Sequence, residues 1–139
     1  MILLQSLAQA YLELGRETEA QDIVAEVLSA AGAEEKLYAL VEALSVQGLV
    51  LTRQRRWEEA ERVLDESLWH ARSLPYPFGE AQTFHAWGRM HAERGEAERA
   101  RERLEEAILI FRRLGAQPYA KRTEQALARL PNDRLQPPR

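Results

Sequence analysis

Residues 84–107 read FHAWGRMHAERGEAERARERLEEA, and the spacing of Phe84, Trp87, Gly88, His91, Gly95, Ala100, Leu104 and Ala107 within that stretch decides the fold. These residues recur at the three- and four-residue steps of a helix on both sides of Gly95, where the pattern breaks. Forty positions earlier stand Leu44, Gln47, Gly48, Leu51, Arg55, Ala60, Leu64 and Ser67, and eighty earlier Leu4, Leu7, Ala8, Tyr11, Gly15, Ala20, Val24 and Val27. Small residues therefore repeat at 8, 48 and 88 and again at 20, 60 and 100. A period between roughly 20 and 50 residues marks units that stack because none can bury its apolar face alone.

Extending the helical period along the chain predicts seven helices and no strands. The first hairpin covers about 2–32, its helices separated by Gly15-Arg16 and closed by Gly32. A second covers about 34–74, with Leu37, Leu40, Val41, Leu44, Gly48 and Leu51 followed by Ala60, Val63, Leu64 and Leu68. Pro75 and Pro77 end it, since proline lacks the N–H donor and drives the preceding residue out of helical geometry. The third covers about 78–115, turning at Gly95, and a capping helix runs 118–130 with Pro118 in its first turn. Residues 131–139, with Pro137-Pro138, read as a disordered tail. The fold expected is all-α: a right-handed α-α superhelix of three hairpins and a C-terminal cap.

Small residues at the repeated positions have a packing reason. Two helices approach closely only where the crossing side chains are alanine or glycine. Glycine inside a helix costs roughly 0.5–1 kcal/mol relative to alanine, so Gly48 and Gly88 imply contacts that offset that cost.

Composition narrows the function classes. With 45% hydrophobic and 29% charged residues the 139-residue chain folds as one domain. It has no cysteine, which removes disulfides, thiolate metal sites and cysteine nucleophiles and is compatible with the cytoplasm. Met1-Ile2-Leu3-Leu4-Gln5-Ser6 lacks the basic lead of a secretory signal, and no run of 18 apolar residues exists for a membrane span. Residues 1–40 carry two basic and seven acidic side chains, whereas residues 81–139 carry twelve and eight, so the two ends are biased towards different neighbours. The first helix opens on apolar residues without a capping side chain. It is expected to continue a longer solenoid as the C-terminal piece of a larger protein, or to self-associate.

Catalytic and cofactor patterns are absent. His85 and His91 lie six apart, about 600° around a helix, and cannot share one ion. His91, at the tyrosine place of its repeat, reads as a packed, hydrogen-bonded ring, and no metal-ligand spacing includes His70. Acidic pairs such as Glu58-Glu59 and Glu105-Glu106 are interleaved with arginines at ion-pairing distances along a helix. The seven glycines are isolated, which excludes a phosphate loop. Arg53, Arg55, Arg56 and Trp57 form the one basic-aromatic cluster, but Glu58, Glu59 and Glu61 follow at once, so nucleic acid is not the expected partner. The expectation is a non-enzymatic protein without metal or cofactor.

The first and third copies resemble the tetratricopeptide repeat in their large apolar residue, paired leucine and small residue, tyrosine place, turn glycine and early alanine of the second helix. The second copy keeps the small residues and loses the tyrosine and the turn glycine. The 40-residue spacing exceeds the usual period of roughly 34. HEAT and armadillo units, with periods of roughly 40–47, fit the spacing better but leave the paired small residues and turn glycines unaccounted for. The long-helix form is similar to the C-terminal sensor regions of large ATP-dependent bacterial transcription regulators, most of all through Phe84-His85-Ala86-Trp87-Gly88 and Ile110-Phe111-Arg112-Arg113-Leu114-Gly115-Ala116.

The resemblance implies a concave groove lined by the first helix of each hairpin, where a peptide or helix of a protein partner would bind. It places Gln5, Gln9, Leu12 and Glu13 there from the first copy, Leu49, Thr52 and Arg53 from the second, and His85, Arg89 and Glu93 from the third. Glutamines stand where lysines and asparagines clamp a terminal carboxylate in one subgroup, so chaperone-tail binding is not expected. The alternative is a regulatory or sensor segment that docks within its own parent chain.

Overall fold

A computed structural model describes residues 2–30 and 33–131; the side chains at 2–7, 27, 28, 30, 33 and 34 lie outside the described set. Seven helices follow one another: α1 (Ile2–Glu13), α2 (Glu17–Ala30), α3 (Ala33–Arg53), α4 (Trp57–Ser73), α5 (Pro77–Glu93), α6 (Ala97–Arg113) and α7 (Gln117–Ala128). No strand occurs among the described residues. Adjacent helices pack in pairs, α1 with α2, α3 with α4, α5 with α6, and α7 covers α6. The first helices of successive pairs also pack side by side, α1 on α3 and α3 on α5, which makes the α-α superhelical repeat.

The 40-residue repeat resolves into a 20-residue step. Helices α4, α5 and α6 are each 17 residues long, and the same three-residue turn follows α1, α3, α4, α5 and α6. In each turn the third residue past the helix end bonds back five residues: Arg16 N–H to Tyr11, Arg56 to Leu51, Tyr76 to Ala71, Glu96 to His91 and Ala116 to Phe111, at 2.6–2.9 Å. After α1, α3, α5 and α6 this is the Schellman closure, which satisfies carbonyls at the helix end with a left-handed residue before the donor; after α4, Pro75 holds that place without a positive φ, behind a cis Leu74–Pro75 bond. Gly15, Gly95 and Gly115 supply the left-handed residue with φ of 77°, 84° and 72°, and Arg55 adopts φ 59° where the second copy has lost its glycine. Longer helices, not longer loops, account for the stretched period.

Pro77 starts α5 instead of ending the hairpin before it, one residue earlier than the periodicity predicts. Its missing N–H falls in a first turn whose donors have no partner within the helix. The cap begins at Gln117 and ends at Ala128, slightly before its expected span. Gly32, residues 132–139 of the expected tail 131–139, and the side chains of the first turns of α1 lie outside the described residues.

Gly48 and Gly88 sit where the sequence requires close approach. A methyl group on Gly88 would stand 2.6 Å from Leu104 Cγ and 3.2 Å from the Ala100 carbonyl oxygen, and one on Gly48 2.5 Å from Leu64 Cδ2. Ala60, Leu64, Ala100 and Leu104 are fully buried at these crossings. Helix α5 is the centre of the molecule and buries Ala81 to Gly88 on every side. Phe78, Phe111 and Tyr119, with ring centroids 4.8–5.6 Å apart, fasten α5, α6 and α7 together.

Candidate functional site

Because α5 is surrounded, its polar side chains must find partners inside the protein. His85 does so across three helices. Its Nδ1 lies 2.9 Å from Thr123 Oγ1 on α7 and its Nε2 lies 3.5 Å from Gln9 Nε2 on α1. Thr123 spends its own proton on the Tyr119 carbonyl at 2.9 Å, so His85 Nδ1–H donates to Thr123 and Nε2 accepts from Gln9. Gln9 Oε1 in turn accepts from Arg122 Nη1 at 3.0 Å. Burial, with the charges of Arg89 and Arg122, pushes the His85 imidazole down to about 3, which keeps it in the neutral form this chain of bonds requires. The row of first helices thus curls until α1 reaches α7, and Gln9 and His85 form an inner wall at 2% and 5% exposure.

Beyond that wall, towards the C-terminal ends of α1, α3 and α5, a cavity of about 310 Å3 opens. It is lined by Gln9, Leu12, Glu13, Glu17, Leu49, Thr52, Arg53, Arg55, Arg89 and Glu93. Eight of the ten residues that sequence places in the groove therefore border one space. His85 borders instead a far smaller cavity with Gln82, Arg122 and Thr123, and the Gln5 side chain lies outside the described residues. Leu12 and Leu49 give the main cavity an apolar floor. Thr52 Oγ1 donates to the Gly48 carbonyl at 2.7 Å, so it offers the cavity a lone pair and not a proton.

Charge is divided by depth. Glu13, Arg53 and Arg55 are exposed on the rim, as is Glu93, while Arg89 is half-buried within. Burial holds the Arg89 guanidinium below its ordinary value; Glu13 and Glu93 draw it up, and Arg53 and Arg129 draw it down. Glu17 accepts from Gln54 Nε2 at 3.4 Å. The volume matches one or two side chains of a ligand, near the lower end of small-ligand pockets.

Three features escaped the sequence reading. Arg55 and Glu17 reach the cavity from the turn after α3 and the start of α2, which helix-face spacing does not cover. Arg122 and Thr123 join the wall only because the superhelix closes on itself. Glu42 is fully buried and burial pushes its carboxyl up to about 8. The Gln82 amide beside it favours the charged form, yet neither group has a hydrogen bond of ordinary length. A single acid inside the apolar run Leu40-Val41-Glu42-Ala43-Leu44 was the available signal.

The other titratable candidates have structural partners. His91 is buried with Nδ1 2.9 Å from Glu96 Oε1, and His70 lies 3.6 Å from Glu66. Arg56 of the basic cluster forms two hydrogen bonds with Glu59, and Trp57 packs against the core. Among the described residues no group of three or more such side chains could hold a metal ion, and no helix is long and apolar enough to cross a membrane.

The fold and cavity define a helical-hairpin repeat protein with a charged recess on its inner face. No protein-family model and no solved structure matches the chain. It is similar to a regulatory protein, RapG of Bacillus subtilis (strain 168), with 39% identity over 69 residues. The match takes in 50% of this chain and 19% of RapG, so the chain spans about a fifth of the length of that relative.

Proposed function

We propose that the chain is a tetratricopeptide-type interaction module that recognises a peptide or helix of a protein partner in the recess between α1, α3 and α5. One observation carries this reading: residues from three successive first helices, chosen by their repeat offset, border a single cavity. The likeness to a protein named for regulation supports a regulatory use of that recognition. A preformed recess binds without a large ordering cost, which suits a docking role, and the one hydroxyl among the described residues that line it, Thr52, donates to a backbone carbonyl and not to a base. The protein acts without enzymatic chemistry, in the cytoplasm.

A second reading is favoured by the partial span of the relative: the chain serves as the regulatory segment of a longer protein, and the recess holds another part of that protein. Site-specific photo-crosslinking in cells of the source organism separates the two. A photoreactive residue at Thr52 should capture a polypeptide, and one at Leu109, exposed on α6, should not. Identical products from both positions would defeat recess recognition. Capture of another protein supports the first reading, and capture of the parent chain supports the second.

A further inference from the structure

We propose that the recess seats a carboxylate of the bound peptide on Arg89, with Arg53 as its second cation; this rests on the recess being the recognition surface. Neither guanidinium has a hydrogen bond or ion pair with another described residue, whereas Arg56, Arg72, Arg101 and Arg112 each reach a carboxylate. A half-buried guanidinium without a hydrogen-bonded partner gives up hydration and gains only the screened attraction of Glu13 and Glu93, so a ligand anion there restores what folding removed. Arginine also offers two parallel N–H donors that match the two oxygens of a carboxylate.

Depth decides the sign of the ligand. Glu13 and Glu93 stand on the exposed rim, where water screens them, while Arg89 lies in the recess where a charge contact is worth more. The lining is charge-balanced, Glu13, Glu17 and Glu93 against Arg53, Arg55 and Arg89, which suits a singly charged carboxylate better than a doubly charged phosphate. Leu12 and Leu49, which line the same recess as Arg89, accept the methylenes of an aspartate or glutamate side chain. The favoured peptide has one such acid flanked by basic residues that answer Glu13 and Glu93.

The test follows arginine Nε–Hε and leucine methyl NMR signals of the whole chain during titration with three peptides. These are Ac-Ala-Lys-Glu-Lys-Ala-NH2, its glutamine counterpart, and that glutamine peptide with a free C-terminal carboxylate. The glutamate peptide should shift the Arg89 signal and bind about tenfold more tightly than the blocked glutamine peptide. Arg89→Gln should remove that preference, and Arg53→Gln, on the exposed rim, should reduce it. A shift produced by the free terminus alone upholds the carboxylate seat and assigns it to a chain end. Equal binding of all three peptides, with Leu12 and Leu49 methyls moving alike, overturns the seat and leaves recess recognition standing. No movement of those methyls with any peptide overturns both.

Discussion

Gln9 on α1 accepts a hydrogen bond from Arg122 on α7 at 3.0 Å, joining residues 113 positions apart and closing the row of first helices upon itself. The same Gln9 donates to His85, so one side chain holds the first hairpin, the central helix and the cap together. Gln9→Leu keeps the volume and removes both bonds, leaving a buried imidazole nitrogen and a part-buried guanidinium unpaired. The expected loss is about 1–3 kcal/mol in urea unfolding. Amide exchange should accelerate in α1 and α7 together, with α4 unchanged. Faster exchange in α1 alone would show that the closure does not couple the ends.

Two buried groups set the pH of greatest stability. The His85 imidazole falls from 6.5 to about 3, so the unfolded chain binds the extra proton, and stability present above 6.5 is lost as pH falls through about 3. Protonation would also turn Nε2 into a donor facing the Gln9 amide donor. The Glu42 carboxyl rises from 4.5 to about 8, so its contribution is full below 4.5 and is lost as pH rises through about 8. Each effect is on the order of a few kcal/mol. Stability should therefore peak between about 4.5 and 6.5, where the two slopes oppose. Glu42→Gln should abolish the alkaline fall and leave the acid limb; melting curves from pH 3 to 9 check both.

Much of this architecture was legible because helices 40 residues apart repeat their small and large residues. Gly88 against Leu104 and Gly48 against Leu64 follow directly from offsets of 16 in the sequence, as do the cavity positions Leu12, Thr52 and Arg89 from offsets near 40. What periodicity does not encode is curvature. It treats Gln9 and His85 as equivalent lining residues, and only the closure of α1 on α7 makes them a buried wall. Nor does it flag Glu42, which is fully buried.

The turn after α3 offers a stabilising change. Arg55 holds φ 59° where the turns after α1, α5 and α6 use glycine, and a side chain in that region costs roughly 1–2 kcal/mol. Arg55→Gly recovers that cost less the greater freedom glycine has when unfolded, about 0.4–1 kcal/mol. The net expectation is a gain of about 0.5–1 kcal/mol, read as a higher melting temperature. Gly95→Ala, the reverse change in the equivalent turn, should lose about 1 kcal/mol despite open space around that residue. A lower melting temperature for Arg55→Gly would mean that the arginine side chain contributes more than its backbone costs.

Gly88→Ala tests whether the small-residue repeat is a packing requirement. By helix propensity alone the change is favourable by about 1 kcal/mol. The new methyl, however, would stand 2.6 Å from both Cγ and Cδ2 of Leu104 and 3.2 Å from the Ala100 carbonyl. Leu104 is fully buried and backbone cannot shift cheaply, so α5 and α6 must separate. Overpacking of about 1–3 kcal/mol should outweigh the propensity gain and destabilise the protein. Leu104→Ala alone should cost about 2–5 kcal/mol through the cavity it leaves. In the double variant the methyl enters part of that space, so the two losses should sum to more than the measured loss by at least about 0.5 kcal/mol. Strict additivity in urea unfolding would show that Gly88 is small for a reason other than its contact with Leu104.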